Sequence, residues 1–301
     1  MFDGIKCLTL LTPVELLMGN SRLKFNGRHD VMNGEDLTGS RSYANYKGLK
    51  FIAYGSEKGW YRIEMRGSVH RLYNNGQDNS DDFDKHKLSC ALGILRTELG
   101  IHTEKEILNN LEFGVNIKLT CPVSRVLSNL LTYKGIPFER IRGDISYYQC
   151  ETNQFTIKIY DKATQFKLSG NILRFEIRVK TMAFLRNKGI MIKVIDDLLD
   201  PVNYQKLGTL LVKCFDRILF RNDDIDLGRL TVSERELFLR GCLKEFWERP
   251  FLPDFEVKTQ YESARKMQVR LENKFRSRFA FPMIADISQL IKQKWAELAH
   301  S

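Results

Sequence analysis

Four short stretches of this chain alternate apolar and polar residues with a period of two, and few folds accommodate that pattern. In "YRIEMR", Tyr61, Ile63 and Met65 alternate with Arg62, Glu64 and Arg66. In "LEFGVNIK", Leu111, Phe113, Val115 and Ile117 alternate with Glu112, Gly114, Asn116 and Lys118. "FTIKIYDK" sets Phe155, Ile157 and Ile159 against Thr156, Lys158, Tyr160 and Lys162. "LRFEIRVK" sets Leu173, Phe175, Ile177 and Val179 against Arg174, Glu176, Arg178 and Lys180. Each is a strand with one face for a core. If the four share a sheet, the opposite face collects Glu64, Glu112, Asn116, Glu176, Tyr160 and several arginines.

Around these strands, "KGLKFIAYGS" and "GWYRIEMRGSVHRLYNNG" read as strands, the second ending in an Asn-Asn-Gly turn. "HKLSCALGILRTELG" and "PVSRVLSNLLTYKG" have helical spacing, the first closed by a glycine. Interleaved strands and helices predict a layered domain with helices against a sheet. After Thr181 the pattern turns helical: "VIDDLLD", "YQKLGTLLVKCFDRILF", "TVSERELFLRGCLKEFWE" and "KTQYESARKMQVRLENKFRSRFA". A boundary near residue 200 divides 1–200 from 201–301. Thr12-Pro13-Val14-Glu15 and Thr231-Val232-Ser233-Glu234 have the form of capping boxes.

The chain carries 47 Lys and Arg against 37 Asp and Glu, a net charge of +10. Such an excess favours a polyanionic partner, nucleic acid before anionic membrane. No run approaches 18 apolar residues, and Pro13 and Glu15 break the apolar N-terminus, so no membrane span or signal peptide is expected. Six scattered cysteines without a C-x-x-C pair predict reduced, mostly buried thiols and a cytoplasmic protein. Walker A, G-x-G-x-x-G, H-E-x-x-H and G-x-S-x-G motifs are missing, and no two histidines are spaced as H-x-H or H-x-x-H. A metal site must therefore lean on carboxylates, and the oxygen donors of the polar face suit Mg²⁺ or Mn²⁺.

Alternation alone leaves two readings open. A sheet solvated on one face shows the same pattern, with cross-strand Glu–Arg pairs worth ~0.2–1 kcal/mol each. Tyr160 is then a half-exposed strand residue; on the other reading it is a nucleophile in a positive field. The same ambiguity holds for residues 258–280, where Lys266, Arg270, Lys274 and Arg278 recur every four positions beside an apolar stripe of Ala264, Met267, Leu271 and Phe275. Like charges at that spacing repel unless a polyanion lies alongside.

"NILRFEIRVKTMAFLRNKGI" resembles a segment of the gene II-type replication initiators of filamentous phages and of related phage and plasmid replication proteins. In that family the segment follows a strand with a Y-x-K motif, matched by Tyr160-Asp161-Lys162. An upstream R-hydrophobic-D strand is matched by Asn110-Leu111-Glu112. "IEMRGSVHRLYNNG" is similar to a strand and turn of the same proteins, and the resemblance spans discontinuous blocks from about residue 50 to 190.

The resemblance implies an α+β fold with an HUH/Rep-like central antiparallel sheet, flanking helices and a mostly helical C-terminal region. It implies a nicking and joining domain in 1–200 and a DNA-binding or accessory region in 201–301. The activity implied is rolling-circle initiation: a tyrosine attacks single-stranded or hairpin origin DNA, forming a 5′-phosphotyrosine and freeing a 3′-hydroxyl. Host helicase and polymerase are the further partners. Tyr160 is the expected nucleophile, with Lys158 and Lys162 favouring its phenolate and holding phosphate. Glu112, Glu176 and Asn116 are the expected ligands of Mg²⁺ or Mn²⁺. Arg174, Arg178 and His70 are expected DNA contacts, with Lys266, Arg270, Lys274 and Arg278 along the late helix. Tyr147 and Tyr148 are rival nucleophiles that, being adjacent, point to opposite faces. The departures are the missing histidine pair and glutamate for aspartate at Glu112. The alternative is a non-catalytic origin-recognition protein derived from such an initiator.

Overall fold

The structure is a computed structural model that describes residues 2–28, 40–143, 146–248 and 257–300. Its strands among those residues are β1 (Phe2–Cys7), β2 (Asn26–Arg28), β3 (Arg41–Tyr46), β4 (Leu49–Ser56), β5 (Gly59–Ser68), β6 (Asn110–Lys118), β7 (Leu130–Tyr133), β8 (Ile136–Pro137), β9 (Glu139–Ile141), β10 (Tyr147–Glu151), β11 (Phe155–Asp161), β12 (Ile172–Val179) and β13 (Ile218–Phe220). The helices are α1 (Val14–Met18), α2 (Val69–Tyr73), α3 (Lys85–Leu99), α4 (Val123–Ser128), α5 (Lys162–Phe166), α6 (Ala183–Arg186), α7 (Pro201–Phe215), α8 (Val232–Gly241), α9 (Lys258–Arg278) and α10 (Met283–His300).

Ten strands form one sheet in the order β2-β3-β4-β5-β1-β6-β12-β11-β10-β9, and every neighbouring pair is antiparallel. A smaller sheet runs β13-β7-β8. The four alternating stretches are β5, β6, β11 and β12 of the one large sheet, and the chain has the α+β architecture expected of it. Their apolar residues, among them Ile63, Phe113, Ile157 and Phe175, lie in the main core.

Helices α3, α7 and α10 supply the other half of that core. Trp295 of α10 meets Phe2 and Phe113 edge-on at ring separations of 6.1 and 5.8 Å, and its indole N–H donates to the Tyr204 carbonyl at 2.8 Å. Gly208 of α7 permits this approach, because a Cβ there would stand 2.2 Å from the indole ring. The main core thus draws on residues either side of position 200. A second cluster, Leu131, Leu219, Phe238, Trp247, Phe275 and Phe279, joins α8 and α9 to the small sheet.

Local corrections have local causes. Thr12 does not cap α1: its hydroxyl and N–H both go to the buried Glu106 carboxylate, at 2.6 and 2.8 Å, so the N-cap falls to Pro13 without a side-chain bond. Thr231 and Glu234 do form their capping box. The strand expected through "SVHRLY" stops at Ser68, which caps α2 instead. The helices expected over "PVSRVLSNLLTYKG" and "YQKLGTLLVKCFDRILF" break at Ser128 and Phe215, and their tails pair as β7 and β13. Cysteines 7, 150 and 214 are buried, 121 and 242 partly buried and 90 exposed.

Candidate active site

β6, β12, β11 and β10 are consecutive in the sheet, and their registers place the even-numbered side chains of β6, β11 and β12 on one polar face. Glu112 stands opposite Arg178, Asn116 opposite Arg174, and Glu176 between Gly114 and Lys158. Tyr160 lies opposite Arg174 on the other side. Two glycines make room for the carboxylates. A Cβ at Gly114 would come within 2.6 Å of the Glu176 Cβ, and one at Gly4 within 3.0 Å of Glu112 Oε2.

These side chains form one bonded cluster. Lys158 Nζ lies 2.5 Å from Glu112 Oε1 and 3.3 Å from Glu176 Oε1. Arg174 Nε donates to Glu176 Oε2 at 2.8 Å, and its Nη1 to Asn116 Oδ1 at 3.3 Å. Tyr160 Oη donates to Glu176 Oε2 at 3.5 Å. Arg174 and Glu176 are 1% and 3% exposed.

Burial and the neighbouring Glu176 carboxylate push the Glu112 carboxyl up, against the pull of Lys158. Burial acts on Glu176 in the same sense, but Arg174 and Lys158 outweigh it and hold Glu176 low. Lys158 is raised: burial is outweighed by the two glutamates. Lys162, 1% exposed, is lowered to about 8 by burial and by Arg174.

Several sequence expectations change here. Lys158 and Lys162 do not favour a Tyr160 phenolate: burial, then the Glu176 charge, push this phenol well above its ordinary value, with Arg174 the opposing cation. Glu112, Glu176 and Asn116 do not present a free ligand set for Mg²⁺ or Mn²⁺. Arg174 occupies the oxygens of both Glu176 and Asn116, and Lys158 bridges the carboxylates. Among the described residues no group of three His, Cys, Asp or Glu side chains is placed to hold a metal ion. Arg174 is too buried and too fully bonded to grip a flanking phosphate.

His70 is no DNA contact either. It is wholly buried, its Nε2 2.7 Å from Asp81 Oδ1, its ring stacked on Phe83 at 4.6 Å. Arg178 is exposed on the polar face. Lys266, Arg270, Lys274 and Arg278 are exposed along α9, away from this cluster in the chain, and Arg278 pairs with Glu234 at 2.6 Å. Phe275 and Leu271 pack in the second core, whereas Met267 of the expected stripe is 63% exposed.

Tyr147 and Tyr148 do point to opposite sides. Tyr148 packs against the main core, and the Lys158 ammonium sits 6.0 Å from the Tyr147 ring centroid. Glu64 shares the polar face but belongs to a separate group, paired with Lys6 at 3.2 Å and accepting from Tyr54 at 3.2 Å.

Beside the cluster a groove of about 730 Å³ opens over β1, β4, β5 and β6. Lys6, Lys50, Arg66, Arg71 and Arg178 line it, together with Asp3 and Glu112. Lys6, Lys50 and Arg71 are not among the expected site residues; Lys50 and Arg71 lie in "KGLKFIAYGS" and "GWYRIEMRGSVHRLYNNG", which read as strands without being placed at the site. The signal available for Lys50 was the position of "LKFIAY" in a second alternating strand.

No family model matches this chain, and no curated protein matches it. Among solved structures it is similar to a rolling circle replication initiator protein from Geobacillus stearothermophilus, at 11% identity and a TM-score of 0.37, with 88% of this chain and 96% of that chain covered.

Proposed function

We propose that this chain is a replication initiator that nicks and rejoins single-stranded origin DNA through Tyr160. One observation carries the reading: a groove lined by five cations shares Glu112 with a bonded cluster that holds Tyr160, Glu176, Lys158 and Arg174. The groove suits a phosphodiester backbone, whose binding is electrostatic and independent of sequence. The cluster suits the chemistry. Tyr160 Oη attacks phosphorus as the bond from phosphorus to O3′ breaks. The phenolic proton passes to the Glu176 carboxylate on which it already bears, and O3′ leaves as the 3′-hydroxyl with a proton from solvent. Lys158 and Arg174 keep that carboxylate ionised and so able to take the proton. The sequence resemblance over Tyr160-Asp161-Lys162 and "LRFEIRVK" supports the same assignment. Rolling-circle initiation, a 5′-phosphotyrosine link and a hairpin substrate are the finer parts of this proposal. Origin-recognition without cleavage is the competing reading, and both place DNA in the groove.

The experiment is a nicking assay on end-labelled single-stranded origin DNA, run with and without Mg²⁺ or Mn²⁺ and resolved on a denaturing gel. Wild type should give a nick and a covalent protein–DNA band. Tyr160→Phe should lose both while keeping DNA affinity, since it deletes one oxygen and costs at most about one hydrogen bond, ~0.5–1.5 kcal/mol, in stability. A wild-type protein that binds the DNA and never cuts it would establish the recognition-only reading.

A further inference from the structure

The polar face of the sheet is open at one end of the cluster and covered at the other. Arg178 is exposed and Lys158 partly so, whereas Asn116, Tyr160, Arg174 and Lys162 are each at most 9% exposed. A tyrosine that has to reach a phosphodiester thus lies under cover. The segment "GQDNSDD" between α2 and α3, residues 76–82, reaches that end of the face. Asn79 Nδ2 donates to Asp3 Oδ2 at 2.7 Å, and Asn79 Oδ1 accepts from Lys162 Nζ at 3.4 Å. Ser80, Asp81 and Asp82 line a cavity of about 430 Å³ together with Asn116, whose side chain is bonded to Arg174.

The segment is fastened in two different ways. Its far half is tied to helices: Asp81 accepts from Asn74 at 2.8 Å and pairs with Lys87 of α3 at 2.6 Å, and Asp82 pairs with Lys294 of α10 at 2.6 Å. Its near half is tied to the groove. Arg71 donates from Nε to the Gln77 carbonyl at 2.9 Å and from Nη2 to the Gly76 carbonyl at 3.1 Å. Arg71, Asp3 and Asn79 all line the groove, and Arg71 is exposed. Among the described residues the Arg71 guanidinium meets these carbonyls and pairs with no carboxylate, so its charge stays available to a phosphate.

Resting on the Tyr160 reading above, we propose that residues 76–80 are a cover over the tyrosine, and that Arg71 is the positioning residue that releases it when a single strand of DNA fills the groove. A phosphate in the groove offers the guanidinium a charge-assisted hydrogen bond, roughly twice as strong as one to a neutral carbonyl. Arg71 turns to the phosphate, and the Gly76 and Gln77 carbonyls lose their donor. The same phosphate charge stands against Asp3, whose bond to Asn79 holds the tip of the cover. Residues 76–80 then swing out on the anchored far half, and the strand meets Tyr160. The open state binds the strand more tightly by the Arg71 contact, which is the differential affinity that such a shift requires. Cleavage is thereby confined to DNA long enough to occupy groove and cluster together, and a shorter piece meets a closed tyrosine.

The test is amide hydrogen exchange, read by mass spectrometry on the full chain carrying Tyr160→Phe so that nothing is cut, with and without a single-stranded oligodeoxynucleotide. Contact with DNA alone slows exchange; release of the cover should instead speed it at residues 76–80, by about threefold or more. Exchange there that slows or stays level at saturating oligonucleotide overturns the cover. Arg71→Lys keeps the charge but not the two donors, so it should speed exchange at 76–80 before DNA is added and abolish the further rise. Unchanged thermal unfolding of that variant shows the effect to be local. Arg71→Ala should also lower the slope of log affinity against log salt by about 0.7, the share of one single-strand phosphate contact. An unaltered slope overturns the part given to Arg71. In a chain with Tyr160 intact, Asn79→Ala should cut a short oligonucleotide about threefold faster than wild type, and equal rates overturn the cover. Wild type that binds DNA and never cuts it fails the Tyr160 reading instead, while the exchange data, taken on a protein that cannot cut, still judge the cover.

Discussion

Glu112 and Glu176 sit on adjacent strands and share one lysine, yet their carboxyls shift in opposite directions. Arg174 accounts for the difference, since its guanidinium bonds Glu176 and not Glu112. The consequence for stability has a definite sign. A folded-state carboxyl held above its unfolded value binds a proton that the unfolded chain has already released, so Glu112 makes stability fall as pH rises past the ordinary carboxylate range. Glu176, held low, contributes stability present above that range and lost only as pH falls through its folded value. Glu112→Gln keeps the shape and an oxygen for Lys158 but cannot ionise. In urea unfolding between pH 5 and 7.5 it should remove a decline of up to ~1.4 kcal/mol per pH unit while leaving the acid limb in place. Superimposable profiles for the two proteins would mean that Glu112 is ionised in the folded state. At this scale much of the site was legible: period two alone put Glu112, Asn116, Lys158, Tyr160, Arg174 and Glu176 on one face. Which of them bond to which was not, because alternation fixes a face and not a partner.

Among the elements, β5, β6, β11 and β12 were readable because each buries one side against helices, so the pattern persists over whole strands. The misreadings cluster where a short strand follows a helix, at Ser128 to Leu130 and Phe215 to Ile218, where apolar runs are too brief for period to separate the two. Helix α10 went unread although Ile287, Ile291, Trp295 and Leu298 recur at helical spacing and are all buried. Its role ties the C-terminal third to the sheet, so the division near residue 200 is one of chain pattern across a continuous core. Trp295→Ala should cost ~3–5 kcal/mol and Gly208→Ala, which drives a methyl into the same indole, ~1–3 kcal/mol. Both should shift a single cooperative transition monitored by circular dichroism. A fragment of residues 1–200 that unfolds cooperatively on its own would show that the sheet does not need α10.

Across the whole molecule, the sheet does two jobs on its two sides: one is packed by α3, α7 and α10, the other carries charge from the groove to Tyr160. The net charge of +10 pointed to a polyanionic partner but not to the face that would receive one. The groove is assembled from β1, β4, β5 and β6 with Arg71 of α2, segments whose adjacency depends on strand order, and strand order cannot be read from period. For the same reason Asn79 and Asp3, 76 positions apart and hydrogen-bonded, carried no signal in the chain. The measurement that bears most directly on the Tyr160 reading is the location of the covalent bond to DNA. Wild-type protein is incubated with single-stranded origin DNA, the adduct is trimmed with nuclease and digested with trypsin, and the nucleotide-bearing peptide is sequenced by mass spectrometry. The nucleotide should lie on Tyr160, in the peptide ending "IYDK". A nucleotide on Tyr147, the half-buried tyrosine beside Lys158, or on any other residue would contradict that reading.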